Sequence, residues 1–154
     1  MNEFQDRRTI QEIVHAARTV AIVGVSASEL RASHFVGYYL QRHGYRVIPV
    51  NPNERQVLGE RVYPSLRDVP EHIDVVDVFR DPAAVPEIAL EAVEVGAGAL
   101  WLQFGVISPD GARIAQEGGL AVVMDRCLKV EHARLLGRMH WMGFDTGVIA
   151  GSRR

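Results

Sequence analysis

Thr19-Val20-Ala21-Ile22-Val23-Gly24-Val25-Ser26-Ala27-Ser28-Glu29 reads as a strand that stops at a glycine and gives way to a short loop of small and polar residues. Thr19 to Val23 is an unbroken run rich in β-branched side chains, which suits a strand buried on both faces of a parallel sheet. Beyond the loop a helical pattern begins near Ser33, with Phe35, Val36, Tyr39 and Leu40 on one side. A strand feeding a helix through such a loop leaves N–H groups unpaired at the helix start, where the macrodipole also favours negative charge. Phosphate is the guest that this arrangement expects.

The remainder of the chain repeats the same alternation. Gly44 supplies a left-handed helix stop, and Arg46 to Val50 forms a second strand, which completes a βαβ unit. Asn51 to Asn53 is a turn, Val57 to Pro64 reads as an excursion with little regular structure, and Ser65 to Val69 as a single helical turn. Asp74 to Phe79 is the third strand. Asp81-Pro82 then caps and starts a helix that runs to about Val95 and stops at Gly96. Ala99 to Leu102 is the fourth strand and Gln103 to Ile107 its loop; Ser108-Pro109 starts a helix to Glu117, and Gly118-Gly119 precedes a fifth strand, Leu120 to Met124. Asp125 to Lys129 reads as a loop and Val130 to Arg138 as the last helix. Ahead of all this, Ile10, Ile13, Val14 and Ala17 make residues 6–18 a short amphipathic helix that lids the sheet. The expectation is one α/β domain over 1–154, a Rossmann-like, doubly wound, mainly parallel five-stranded sheet with helices on both faces, its core at 19–138 and a loose tail at 139–154.

Composition narrows the function. The chain has 154 residues, 47% hydrophobic and 23% charged, with a net charge of -2, so nothing draws it to nucleic acid or to an anionic membrane surface. Sixteen of its seventeen basic residues are Arg, and they are scattered along the chain. The one cysteine, Cys127, cannot close an internal disulfide, Met1 to Arg8 carries no apolar signal core, and no apolar run approaches a membrane span. A cytoplasmic protein is expected. No Cys/His cluster has zinc spacing and no nucleophile elbow occurs, so neither metal nor triad chemistry is indicated, and no catalytic residue is assigned.

Ligands of open parallel sheets gather at the carboxyl ends of the strands, near the point where strand order reverses. The first loop matches only Gly24 of the dinucleotide fingerprint G-x-G-x-x-G; Ser26 and Glu29 stand where the second and third glycines belong. An NAD site would also want a carboxylate after the second strand, and the chain has Val50, Asn51 and Pro52. An oxidoreductase using NAD(P) is thus the weaker alternative.

Six segments, V-A-I-V-G-V-S (Val20 to Ser26), V-I-P-V-N-P (Val47 to Pro52), V-Y-P-S-L (Val62 to Leu66), V-D-V-F-R (Val76 to Arg80), W-L-Q-F-G (Trp101 to Gly105) and V-M-D-R-C (Val123 to Cys127), carry a resemblance. Together they resemble the stand-alone CoA-binding domain proteins, themselves similar to the CoA-binding domain of the succinyl-CoA synthetase α subunit. The resemblance covers about Thr19 to His132 and implies a Rossmann-like domain that holds coenzyme A or an acyl-CoA. By position, Gly24, Ser26, Ala27 and Ser28 would line the phosphates, with Arg31, Ser33 and His34 beside them. Asn51 and Pro52 would border the adenosine, while Phe79, Arg80 and Gln103 would bound the other flank. The residues agree in kind: a Gly- and Ser-rich turn offers N–H and hydroxyl donors, and Arg80 a fixed positive charge.

The chain departs from the synthetase pattern in having no G-H-x-G loop for a phosphorylated histidine and no nucleotide-grasp domain; His132 lies instead in V-E-H-A-R. The expectation is a small CoA-binding protein without catalytic machinery of its own, or a CoA-site subunit of a larger acyl-CoA ligase. Partners beyond the small molecule are left as a second copy of the chain or an unidentified protein; Trp101 and Trp141 are weighed as a dimer surface against core. Cys127 is weighed between a buried small hydrophobe and a thiol near that of CoA, and Asp125 with Arg126 as a loop-fixing pair. Gly24 is expected to leave room for a pyrophosphate, so that Gly24→Val would harm binding far more than folding.

Overall fold

A computed structural model describes residues 3–139. Its strands are β1 (Thr19–Val23), β2 (Arg46–Val50), β3 (Gln56–Val57), β4 (Glu60–Arg61), β5 (Val75–Val78), β6 (Ala99–Leu102) and β7 (Ala121–Met124). The helices are α1 (Arg7–Ala16), α2 (Ala32–Arg42), α3 (Val85–Glu94), α4 (Pro109–Glu117) and α5 (Leu128–Met139). Five strands form one parallel sheet in the order β2-β1-β5-β6-β7. The order reverses between β1 and β5, so the loop after β1 and the loop after β5 flank the crevice where such sheets take ligands.

Both faces of the sheet are covered, which is why its strands are apolar at successive positions. On one face Ala21, Ile48, Val76, Val78, Leu100 and Val122 pack with Val85, Ile88, Ala89, Ala112 and Ala115 of α3 and α4. On the other Val20, Ile22, Val47, Val75, Trp101 and Val123 pack with Ile10, Ile13 and Val14 of α1, Val36 and Leu40 of α2, and Leu128 and Leu135 of α5. The Rossmann-like class expected from the sequence is thus the class observed. Trp101 is fully buried, and its Nε1 donates 2.8 Å to the Arg126 carbonyl; it is core and no dimer surface. Trp141 and the tail at 140–154 lie outside the described residues.

The differences from expectation have local causes. β5 begins one residue after Asp74, whose carboxylate accepts the N–H groups of Arg18 and Thr19 at 2.8 and 3.0 Å and braces the start of β1. Asp81 caps as expected, accepting from the Ala83 N–H at 2.9 Å, but the first turn, Pro82–Ala84, is a 3-10 turn before α3 proper. The excursion after β2 contains a hairpin, β3 against β4, around Leu58 and Gly59, both at positive φ (57° and 75°). Two left-handed residues make the tight turn that hairpins prefer, and Leu in the first of them hides the signal that Asn or Asp would give. The last helix starts at Leu128, two residues earlier than its periodicity suggests.

Candidate functional site

The crevice is built from five loops at the carboxyl ends of the strands. Gly24, at φ 90°, turns the chain out of β1, and its N–H donates 2.8 Å to the Val50 carbonyl. A Cβ placed on Gly24 would lie 2.5 Å from the Phe79 carbonyl oxygen and 2.8 Å from Arg80 Cδ. The space that glycine leaves is therefore taken by the backbone after β5, and this corrects the expectation that it is kept for a phosphate.

The loop that follows is held from within. The Ser26 N–H donates to Ser33 Oγ at 2.9 Å, the Ser28 N–H to Ser26 Oγ at 3.0 Å, and the Leu30 N–H to Ser28 Oγ at 3.3 Å. Ser33, expected beside the phosphates, is buried in the first turn of α2 and serves as the anchor of this loop. The Ala27 N–H donates 3.3 Å to the Glu54 carboxylate, so an anion of the chain itself sits at the loop. Glu54 carried no signal in the sequence, because its contact spans 27 positions. The hydroxyls of Ser26 and Ser28 accept in these bonds and keep their O–H groups for a further partner.

Asn51 ties the loop after β2 to the first one: its Nδ2 donates 2.8 Å to the Val25 carbonyl and its Oδ1 accepts from the Asn53 N–H at 2.8 Å. Pro52 is exposed next to it. Arg31 is exposed immediately before α2, and His34 is half-buried in the helix's first turn. Gly24, Ser26, Ala27, Ser28, Ser33 and Asn51 therefore belong to one hydrogen-bonded assembly at the switch point, with Arg31, His34 and Pro52 adjacent in the chain.

Phe79 and Arg80, which back onto Gly24, continue with Gln103 into an adjoining cleft. With Phe104, Arg126 and Cys127 they line a cleft of about 710 Å³ past the ends of β5, β6 and β7. Three guanidiniums, from Arg80, Arg126 and Arg134, face one carboxylate, Glu131, which lies 3.3 Å from Arg134 and 4.0 Å from Arg126. Gln103 is only 5% exposed and its Oε1 is buried without a hydrogen-bond partner among the described residues, as is Arg126 Nε. Asp125 and Arg126 do not pair with each other as expected. Asp125 accepts the Gly105 N–H at 2.7 Å, and Arg126 Nη2 donates 3.0 Å to Gln5 Oε1. Asp125 adopts a left-handed backbone, φ 64°, at the exit of β7, and the Phe104 side chain is exposed at the cleft. Cys127 is half-buried: it packs against the core cluster as a small hydrophobe and also lines the cleft.

Fold and site together define a Rossmann-like α/β domain with a serine-rich loop at its switch point and a basic cleft beside it. The chain belongs to the CoA binding domain family, whose model matches residues 18–133. YneT, an uncharacterized protein of Bacillus subtilis, is 38% identical over 80% of this chain and 92% of its own length. The ADP-forming acetate–CoA ligase II of Archaeoglobus fulgidus is 28% identical over 64% of this chain, and the match spans only 15% of that ligase. A hypothetical protein from Pyrococcus horikoshii OT3 superposes with a TM-score of 0.83 at 38% identity, covering 89% of this chain and all of that one. Among the described residues no helix is long and apolar enough to cross a membrane, and no group of His, Cys, Asp and Glu could hold a metal ion.

Proposed function

We propose that the chain binds coenzyme A or an acyl-CoA as a small cytoplasmic binding protein, without forming thioesters on its own. The observation that carries the reading is the family match over residues 18–133, a span that contains every loop of the crevice. The chemistry of the loops fits the group. The hydroxyls of Ser26 and Ser28 and the loop N–H groups suit a pyrophosphate, which would take the Ala27 N–H in place of Glu54. Asn51 and Pro52 border the adenosine, Arg31, His34 and Arg80 add donors and charge, and no carboxylate follows β2 directly to hold the ribose of NAD.

Calorimetric titration of the purified chain is expected to give binding with CoA and much weaker binding with NAD and NADP. Tighter binding of either nicotinamide cofactor would overturn the reading.

A second reading is favoured by the match to a short part of an ADP-forming acetate–CoA ligase: the chain is a CoA site lent to a partner that supplies the remaining chemistry. In either case the isolated chain, incubated with acetate, a nucleoside triphosphate and CoA, is expected to form no thioester. Steady turnover that disappears in a Ser26→Ala, Arg80→Ala double variant would refute this.

A further inference from the structure

We propose that Cys127 is a site of reversible CoA attachment: the thiol end of the ligand reaches the cleft past β5 to β7, and CoA disulfide exchanges there with the Cys127 thiol. The proposal rests on the CoA reading and goes beyond it by assigning a modification site and its chemistry.

The cleft has features that a bare cysteine would not need. Gln103 lines it, is 95% buried by its 5% exposure, and keeps Oε1 as a buried acceptor without a donor. Arg126, which also lines it, keeps Nε as a buried donor without an acceptor. A secondary amide presents one N–H and one carbonyl, the complement of that pair, and the arm of CoA between pyrophosphate and thiol contains two such amides. Buried polar groups normally find partners, so these two orphaned groups on residues of one cleft point to a ligand that brings them.

Reach agrees as well. From β1 to β7 is three strand spacings, about 14 Å at the usual separation of neighbouring strands. The CoA arm has the backbone length of about four amino-acid residues, which extended spans about 14 Å. A ligand with its pyrophosphate over the β1 loop therefore brings its sulfur to the end of β7, where Cys127 lies.

The backbone that carries the thiol is held in place. The Asp125 N–H donates 2.8 Å to the Leu102 carbonyl, the Arg126 carbonyl accepts Trp101 Nε1 at 2.8 Å, and the Cys127 carbonyl accepts the Glu131 N–H at 3.0 Å. In the exchange the Cys127 sulfur attacks one sulfur of CoA disulfide. The S–S bond breaks, a Cys127–CoA mixed disulfide forms, and the other CoA leaves as thiolate and takes up the proton that Cys127 gave up. No outside oxidant is needed.

The test uses the full chain with CoA disulfide in the absence of reductant, acid-quenched and read by intact mass. The parent is expected to gain the mass of one CoA, reversibly with dithiothreitol, and Cys127→Ser to gain none. Glutathione disulfide at equal concentration should react about tenfold more slowly or worse, since it lacks the positioning that the site supplies. Gln103→Leu should bring the two rates together. Equal rates in the parent, or no adduct on protein that binds CoA by calorimetry, would overturn the attachment and leave the CoA reading intact. Protein that neither binds CoA nor forms the adduct would overturn both.

Discussion

Gly24→Val is expected to lower the stability of the fold by about 3 kcal/mol or more, from a left-handed backbone imposed on a branched residue together with overpacking. For a chain of this length that corresponds to a melting temperature about 6 to 12 °C lower. Two observations set the size. Gly24 sits at φ 90°, and a Cβ there would be 2.5 Å from the Phe79 carbonyl oxygen, which belongs to a neighbouring loop and cannot swing aside like the end of a flexible side chain. A variant that melts like the parent but has lost CoA binding would instead return the space to the ligand. Ser26→Ala separates the two effects. Its Oγ accepts a single bond from the Ser28 N–H in an exposed part of the loop, so stability should fall by about 0.5 to 1.5 kcal/mol. Loss of a hydrogen bond to a charged phosphate should weaken CoA by about 1.5 to 3 kcal/mol. Thermal melts and titrations of both variants measure these quantities side by side.

The glycine shows where reading from sequence ends. Thr19 to Leu40 was legible as strand, turn and helix because every signal involved is local: β-branched run, glycine, small-residue loop, helical period. The five strands, their parallel arrangement and the caps at Asp81 and Ser108 follow from signals of the same kind. What Gly24 touches was not legible, since Phe79 lies 55 positions away and nothing in either residue announces the approach. The Glu54 contact with Ala27 and the grouping of the candidate residues into a loop assembly and an adjoining cleft were hidden for the same reason. The β3–β4 hairpin was missed through chemistry rather than distance, because Leu58 occupies a left-handed position that its side chain does not advertise. Arg126 was read as the partner of Asp125 by adjacency, whereas in the folded chain Gln5 accepts its bond from more than a hundred positions away.

Asp77→Asn is expected to melt above the parent at about pH 8, with a difference that shrinks as the pH falls toward about 4. Asp77 pairs in register with Ile22 of β1 and Trp101 of β6, alternates with Val76 and Val78, and is fully buried. Neither carboxylate oxygen has a hydrogen-bond partner among the described residues. Desolvation by this burial raises its pKa well above the usual carboxyl value of 3.8. In the folded chain the carboxyl keeps its proton where the unfolded chain has released it. Between the two pKa values the folded state binds more protons, so stability falls as pH rises, by at most about 1.4 kcal/mol per pH unit for one group. The amide of Asn fills nearly the same volume and has no proton to hold, so that slope disappears. His132 runs the other way: burial, followed by the charges of His43 and His15, lowers its pKa to about 4, and its contribution is fully present above about 6.5 and lost as pH falls from there to about 4. The two groups offset each other in the parent's own profile. Melts of parent and Asp77→Asn compared at each pH cancel the histidine and leave the carboxyl, and parallel profiles would mean that Asp77 is ionised in the folded protein.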